Sequence, residues 1–156
     1  MSEENVMTEI ERIRDQMARA FRGEAWHGSS FLEVLDGVTA GRAAAKPHAS
    51  AHSIWEIVLH VTASYDEIVA RLHGKRVVLT PEDDWPAVED TGESAWLNAK
   101  EKLEASHDKL LAAIVSIDDT KLDSQILEGF SSYYATFHGT AQHDAYHAGQ
   151  IALLKK

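Results

Sequence analysis

The sequence predicts an all-α fold, an up-down-type four-helix bundle with long links between its helices. Apolar residues recur every three or four positions along four long stretches, which is the spacing of one helix face. No stretch alternates apolar and polar residues over the length of a strand. A chain of 156 residues fits one domain, and such a chain buries roughly 70% of its unfolded surface. We therefore expect residues 1–156 to form a single bundle domain.

The first predicted helix runs from about Glu3 to Phe21. The apolar side chains spaced by threes and fours along it are Val6, Ile10, Ile13, Met17 and Phe21. Residues 23–30, GEAWHGSS, are predicted as a turn because glycines punctuate them. Residues 31–37, FLEVLDG, are typical of a short helix that stops at its aspartate-glycine end. Residues 39–52 are predicted as a connector.

The second helix has a clear start signal. Ser53 and Glu56 form the capping-box pattern SIWE, in which each side chain bonds the other residue's backbone. The apolar stripe that follows consists of Ile54, Val58, Val61, Tyr65, Ile68 and Leu72. Gly74 is predicted to end the helix, because glycine readily adopts the left-handed conformation found after helix ends.

The second half of the chain holds the other two helices. Residues 75–92 contain two prolines and an acidic cluster. We predict a loop there, with a short extended piece at residues 76–79 (RVVL) and a solvated turn at residues 82–85 (EDDW). The third helix begins near Glu93 or Ser94. Its buried residues are predicted to be Trp96, Leu103, Leu110, Ile114 and Ile117. A polar link, residues 118–132, leads to a fourth helix from about Tyr134 to Leu154.

Composition excludes several classes of function. The chain carries 25 acidic and 15 basic side chains, a formal charge of −10, which repels phosphate backbones and anionic lipid. We therefore expect no direct nucleic-acid partner and no membrane partner. Cysteine is absent, so disulfides, thiolate metal sites and a cysteine nucleophile are excluded. The N-terminus is charged and no stretch approaches 18 apolar residues, which predicts a cytoplasmic protein.

Two histidines four residues apart, in the segment HDAYHAGQI, are the strongest chemical signal. His143 and His147 differ by about 40° around a helix, so both imidazoles point the same way. They lie on or beside the face marked by Ile151, which must be buried. Two partly buried imidazoles are costly unless their nitrogens find partners, and a divalent metal satisfies both at once. The alternative is a pair of structural histidines hydrogen-bonded to neighbours.

The pair does not complete a zinc-protease motif. Such a motif needs a glutamate after the first histidine, where this chain has Asp144, and the tail that follows offers no third ligand. A third ligand must therefore come from upstream. His138 points about 180° away from His147 around the helix, which disfavours it. His60 lies at the edge of the apolar stripe of helix two and His107 on the apolar face of helix three, and spacing alone does not separate them.

The segments HDAYHAGQI and SIWEIVLH, together with AWHGSSFLEVL at residues 25–35, resemble the DinB/YfiT-like superfamily of metal-binding helical bundles. The likeness covers nearly the whole chain in order and spacing. It implies that His60, His143 and His147 are the metal ligands, in preference to His107. Members of this superfamily include thiol-dependent transferases and isomerases and metal-dependent hydrolases, and dimers are common among them. The family name refers to DNA-damage-inducible expression and implies no DNA binding.

Three neutral imidazoles would leave the full charge of a divalent ion available for chemistry. Zinc or nickel is favoured, and iron or manganese would also suit nitrogen ligands. Such an ion lowers the pKa of bound water to about 7 and deprotonates a bound thiol. We expect a metal-dependent enzyme that activates a low-molecular-weight thiol for transfer to a small-molecule substrate. The alternatives are a metal-dependent hydrolase, a non-catalytic metal-binding stress-response protein, and a bundle with purely structural histidines. Because dimers are common in the superfamily, the resemblance also favours a homodimer.

Residues around the ligands have predicted supporting roles. Glu56 and Asp144 are candidates for orienting the imidazoles, although Asp144 lies about 100° from His143 and is expected to face solvent. The candidates for the mouth of a pocket are Trp26, His27, Trp55, Tyr146 and Gln150. Tyr146 is the one candidate catalytic side chain, as a hydrogen-bond donor to a metal-bound substrate. The competing interpretation for the two tryptophans and Tyr146 is simple packing.

Overall fold

The computed structural model describes residues 6–156, and all of its regular elements in that range are helical. The α-helices, in chain order, are α1 (Glu9–Arg22), α2 (Phe31–Leu35), α3 (Ala40–Ala44), α4 (Ile54–Leu72), α5 (Pro81–Asp84), α6 (Glu93–Ile114) and α7 (Tyr133–Leu154). A 3-10 turn spans Asp119–Lys121. No strand occurs within residues 6–156, where one isolated bridge joins Gln125 and Ser132. The predicted all-α class is confirmed: the four long helices are the predicted ones, and three short helices lie in the links.

The long helices pack in pairs around one apolar core. α4 lies along α6, and α1 lies along α7. The short helix α2 contacts α1 and α7, and α3 contacts α4 and α6, so the links cover the sides of the bundle. The largest fully buried side chains include Trp96, Tyr65, Phe21, Phe31 and Phe137, which come from five different helices. Burial of these rings removes a large apolar area from water and stabilises the arrangement.

Capping residues set where the helices begin. Thr8 caps α1 by accepting a hydrogen bond from the backbone N–H of Glu11, so the first helix begins at Glu9 and not at Glu3. Val6, which was placed in the apolar stripe of the predicted helix, lies before this start and is 72% exposed. Residues 3–5 of the predicted helix lie outside the described residues. The predicted capping box at Ser53 and Glu56 is present, and α4 begins at the next residue, Ile54.

The links contain more structure than the sequence indicated. The predicted connector at residues 39–52 begins with α3, capped by the hydroxyl of Thr39. The predicted loop at residues 75–92 contains α5, where the hydroxyl of Thr80 accepts from the backbone N–H of Asp83 and Pro81 occupies the first helical position. Residues 76–79, where a short extended piece was predicted, form no strand.

The third and fourth helices begin within one residue of their predicted starts. α6 begins at Glu93, and Ile117 lies beyond its end and is only half-buried. α7 begins at Tyr133, where Ser132 accepts a hydrogen bond from the backbone N–H of Ala135. None of the helices within residues 6–156 combines the length and the apolarity that crossing a bilayer requires.

Candidate metal centre

Helices α4 and α7 bring three imidazoles together at one point. Nε2 of His143 lies 3.0 Å from Nε2 of His60 and 3.0 Å from Nε2 of His147. One ligand atom from each of the three side chains lies within 4.8 Å of the other two. His60 and His147 are buried, with 7% and 4% of their surface exposed, and His143 is half-buried. The structure thus assembles the histidines of two segments into one cluster, called here the triad.

The outer nitrogens of two triad members are held by acceptors. Nδ1 of His60 donates to the backbone carbonyl oxygen of Asp84 at 2.7 Å, and a carboxylate oxygen of the same residue lies 3.1 Å from that nitrogen. Nδ1 of His147 donates to the side-chain oxygen of Gln150 at 2.6 Å. Because carbonyl oxygens only accept, both Nδ1 atoms carry the ring hydrogen. Both Nε2 atoms therefore direct a lone pair toward His143.

This arrangement fits a divalent cation. A neutral His143 carries one ring hydrogen, so it can donate to only one of the two lone pairs that face it. At least one lone pair is left without a partner, whereas a cation would satisfy three at once. Tetrahedral zinc with ordinary Zn–N bonds separates its nitrogen ligands by roughly 3.3 Å. The 3.0 Å separations in the triad are close to that value.

Burial keeps two members of the triad, His143 and His147, in the form that binds metals. Burial, followed by the neighbouring charges of His147 and His60, lowers the pKa of His143 to about 4. Burial also lowers the pKa of His147, and the hydrogen bond to Gln150 only partly opposes it. Both imidazoles are therefore neutral at pH 7, and a neutral imidazole is the species that donates a lone pair to a metal.

A comparison with protein families places this chain in a known group. Residues 25–151 match the model of the DinB superfamily, and that range contains all three members of the triad. The chain belongs to the DinB superfamily. Comparisons with curated proteins and with solved structures give no match. Membership of the DinB superfamily and the geometry of the triad together indicate a metal-binding protein.

An aromatic side chain covers one side of the site in this DinB-superfamily chain. The ring of Trp85 stacks on the ring of His60 with a centroid distance of 4.0 Å and an interplanar angle of 2°. It also stacks on His52 at 3.6 Å and 8°. The solvated turn predicted at residues 82–85 is therefore wrong for Trp85, whose ring packs on two histidines. α5, which is capped by Thr80, packs against α4, and this packing places Asp84 and Trp85 on the site.

Asp144 is buried behind the triad and does not face solvent as predicted. Its side chain has no exposed surface, and one carboxyl oxygen accepts a 2.6 Å hydrogen bond from the hydroxyl of Tyr65. The other oxygen has no hydrogen-bond partner within residues 6–156. Burial raises the pKa of Asp144 to about 8, although the bond from Tyr65 opposes the rise. Asp144 therefore links α7 to α4 and orients no imidazole of the triad.

The second candidate for orienting an imidazole has a different partner. The carboxylate of Glu56 accepts from the backbone N–H of Ser53 at 2.7 Å and from Nζ of Lys46 at 2.7 Å. Glu56 thus caps α4, and the orienting role belongs to Asp84 and Gln150. Among the residues predicted to orient the imidazoles or to line the pocket mouth, Gln150 alone bonds a ring nitrogen of the triad. Asp84 was missed because the contact uses a backbone carbonyl, which has no sequence signature.

His107 is part of the core and not of the triad. Its side chain is fully buried and its ring stacks on Phe21 at 3.9 Å. Neither ring nitrogen has a hydrogen-bond partner within the described chain. Burial, followed by the charge of Arg22, lowers the pKa of His107 to about 4. The structure thus separates His107 from His60, which the spacing of apolar residues had left equivalent.

The remaining candidates for the pocket mouth divide into three groups. Trp26 is fully exposed and packs against no residue of the described range 6–156, so the packing interpretation of Trp26 is wrong, and His27 is exposed in the same turn. Trp55 is 3% exposed and packs on Trp96, as the packing interpretation predicted. Tyr146 is 65% exposed, its ring lies 5.1 Å from that of His147, and its hydroxyl accepts from Gln150 at 3.3 Å. Tyr146 therefore lies at the solvent side of the triad.

Proposed function

We propose that this protein binds a divalent metal ion, zinc or nickel, through His60, His143 and His147. We propose further that it activates a low-molecular-weight thiol for transfer to a small electrophile. The observation that supports this most is the convergence of three Nε2 atoms, two of which have their lone pair fixed by a hydrogen bond at Nδ1. When bound, the ion would supply Lewis-acid chemistry that deprotonates a thiol or a water at neutral pH.

The residues of the chain have distinct tasks in this proposal. The triad holds the ion, and the acceptors on Asp84 and Gln150 keep the two outer imidazoles oriented. Trp85 shields one side of His60 from water, which strengthens electrostatic interactions inside the site. Tyr146 accepts a hydrogen bond from Gln150 through its oxygen, so its own hydrogen is available to donate to a substrate.

Two features favour a thiol over water as the activated group. Attack by water is usually assisted by a general base, and the residue that follows His143, Asp144, is buried and bonded to Tyr65. The carboxylate of Asp84 contacts the outer nitrogen of His60 and not the centre of the triad. A thiol needs no such base once it is deprotonated, and with no cysteine in the chain the thiol must come from outside. Hydrolysis by metal-bound water is the second candidate.

A non-catalytic metal-binding protein is the third candidate. Metal analysis followed by activity assays separates the three candidates. Protein purified without a metal-affinity tag should contain roughly one zinc or nickel ion per chain. Alanine in place of any member of the triad should abolish tight uptake, whereas alanine at His73, an exposed histidine at the end of α4, should not. A homodimer stays a prediction.

Activity is then assayed on the metal-loaded protein. Glutathione, bacillithiol and mycothiol are each tested with monochlorobimane as electrophile, and ester substrates are tested without thiol. Thiol-dependent turnover that disappears in His143→Ala supports the transferase. Turnover of esters alone supports the hydrolase, and background rates throughout with metal still bound support the non-catalytic protein. A chain that takes up no divalent ion at all contradicts the whole proposal.

A further inference from the structure

A groove leads away from the triad between α4 and α7. It has a volume of about 280 Å³, and His143 forms one end of it. Gly139 and Thr136 line it on α7, and Glu67 and Arg71 line it on α4. We call this cavity the α4–α7 groove. This volume is close to the lower limit for small-molecule sites, which suits a small metabolite.

The groove contains a cation with unused hydrogen-bonding capacity. The side chains of Arg71 and Glu67 form an ion pair and are only 20% and 16% exposed. The two charges compensate each other, and the carboxylate of Glu67 also accepts from the backbone N–H of Leu79. The guanidinium of Arg71 has five N–H groups, of which one bonds the carbonyl of Val77 and one bonds Glu67. The remaining N–H groups have no hydrogen-bond partner within residues 6–156, and the ring of Phe130 covers one face of the guanidinium, 4.5 Å from its central carbon. A ligand carboxylate would have to bond these N–H groups at the edge of the guanidinium.

Helix geometry gives the distance between the two ends of the groove. Thr136 precedes His143 by seven residues on α7, which corresponds to roughly 10 Å along the helix axis. Arg71 follows His60 by eleven residues on α4, which corresponds to roughly 16 Å. The cationic end of the groove therefore lies on the order of 10–16 Å from the triad. A ligand that touches both ends must be elongated.

A second cavity near the triad lacks these features. It has a volume of about 380 Å³ and reaches Gln150 and His52. No member of the triad lines it, and no aspartate, glutamate, lysine or arginine does. Of the two cavities, only the α4–α7 groove joins a triad histidine to a charged group.

We propose that the α4–α7 groove binds the substrate of the metal centre and that this substrate is an elongated small molecule with an anionic end. A thiol or another metal-binding group lies at the triad, and a carboxylate at the other end is received by Arg71. Guanidinium and carboxylate form charge-assisted hydrogen bonds, which are the strongest kind available at such a site. This inference rests on the proposed function, because it places one end of the ligand at the metal.

Gly139 offers a way to close the groove without disturbing the fold. A Cβ built on Gly139 meets no atom within 4 Å, so a larger side chain has room only because the groove is open there. Gly149, on the same helix, also has open space around its Cβ, but it is exposed and does not line the groove. Leucine at Gly139 and leucine at Gly149 change helix propensity by the same amount. They differ in whether they block the groove.

The test measures binding and not turnover. Cobalt-loaded protein is titrated with mercaptoacetate, mercaptopropionate, mercaptohexanoate, mercaptooctanoate and mercaptoundecanoate, and with the mercaptoalcohols of the same lengths. The readout is the thiolate-to-cobalt charge-transfer absorption. The acid that spans the groove should bind about tenfold more tightly than its matching alcohol, whereas mercaptoacetate is too short to show this preference. In Arg71→Gln the preference should vanish while the band with mercaptoacetate remains.

The glycine variants give an independent answer. Gly139→Leu should weaken binding of the long acids by about tenfold and leave mercaptoacetate unchanged, and Gly149→Leu should change neither. Equal affinities for acids and alcohols at every length, or a preference that persists in Arg71→Gln, would overturn the groove proposal while the band with mercaptoacetate still supports thiol binding at the metal. Failure to take up cobalt, or no band with any thiol, would overturn the proposed function and this inference with it.

Discussion

Nδ1 of His60 donates a 2.7 Å hydrogen bond to the backbone carbonyl oxygen of Asp84, which lies 24 residues further along the chain. This bond connects the middle of α4 to the end of α5, and it fixes the tautomer of His60 so that the lone pair on Nε2 faces the other two imidazoles. The position of a triad histidine thus depends on a short helix in a link between the long ones.

We expect Trp85→Leu to weaken zinc binding by about tenfold, the lower end of the range for residues that support a metal ligand. The substitution removes the ring that stacks on His60 and loosens the segment that supplies the carbonyl of Asp84. Competition with a chromophoric chelator measures the affinity. Trp26→Leu is the matched control, because Trp26 is fully exposed. Equal affinities in the two variants would contradict a supporting role for Trp85.

Gln150 should act on the metal through His147. In Gln150→Leu, Nδ1 of His147 loses its acceptor, so zinc affinity is expected to fall between about tenfold and a hundredfold. Gln150→Glu keeps an acceptor at the same position and should restore most of the affinity. The ratio of the two variants, measured by the same chelator competition, is the decisive quantity. A glutamate variant as weak as the leucine variant would show that the amide has a packing role.

His107 should make the metal-free protein sensitive to acid. Its pKa is about 4 in the folded protein, compared with 6.5 for the unperturbed group, so the unfolded state binds the extra proton between those values. The free energy of unfolding should therefore fall as pH decreases from 6.5 to 4, and His107 should account for roughly 3 kcal/mol of that loss.

His107→Leu removes this contribution and two buried nitrogens that have no partner. Urea unfolding of both proteins in the presence of a chelator should show the leucine variant gaining on the wild type as pH falls through that range. His73→Leu, at an exposed position, should leave the pH dependence unchanged. Parallel curves for His107→Leu and the wild type would mean that His107 is not desolvated in solution.

Tyr65 and Asp144 should be coupled energetically. Their 2.6 Å hydrogen bond is fully buried, and Tyr65→Phe would leave both oxygens of Asp144 without a partner. We expect Tyr65→Phe to destabilise the protein by roughly 1–3 kcal/mol. In a double-mutant cycle with Asp144→Ala, the second substitution should cost much less once the first is made. Additive free energies of unfolding would indicate that the bond contributes nothing.

The sequence alone determined the helical class, the positions of the four long helices and one shared face for His143 and His147. These properties follow from the spacing of apolar residues and from capping residues such as Ser53, which act over one or two turns of the chain. The same local signals left His60 and His107 equivalent, because both lie on apolar faces of long helices, and the family resemblance was needed to choose between them.

The tertiary structure brings His60 and not His107 to the pair on α7, and it alone decided where Asp144 points and what holds His60. α7 contacts α1, α2 and α4, so it buries more than one face, and a single apolar stripe does not predict the side on which Asp144 lies. The carbonyl of Asp84 is a backbone atom that every residue type offers. Its role arises because α5 packs against α4, and packing between distant segments leaves no mark in the local sequence pattern.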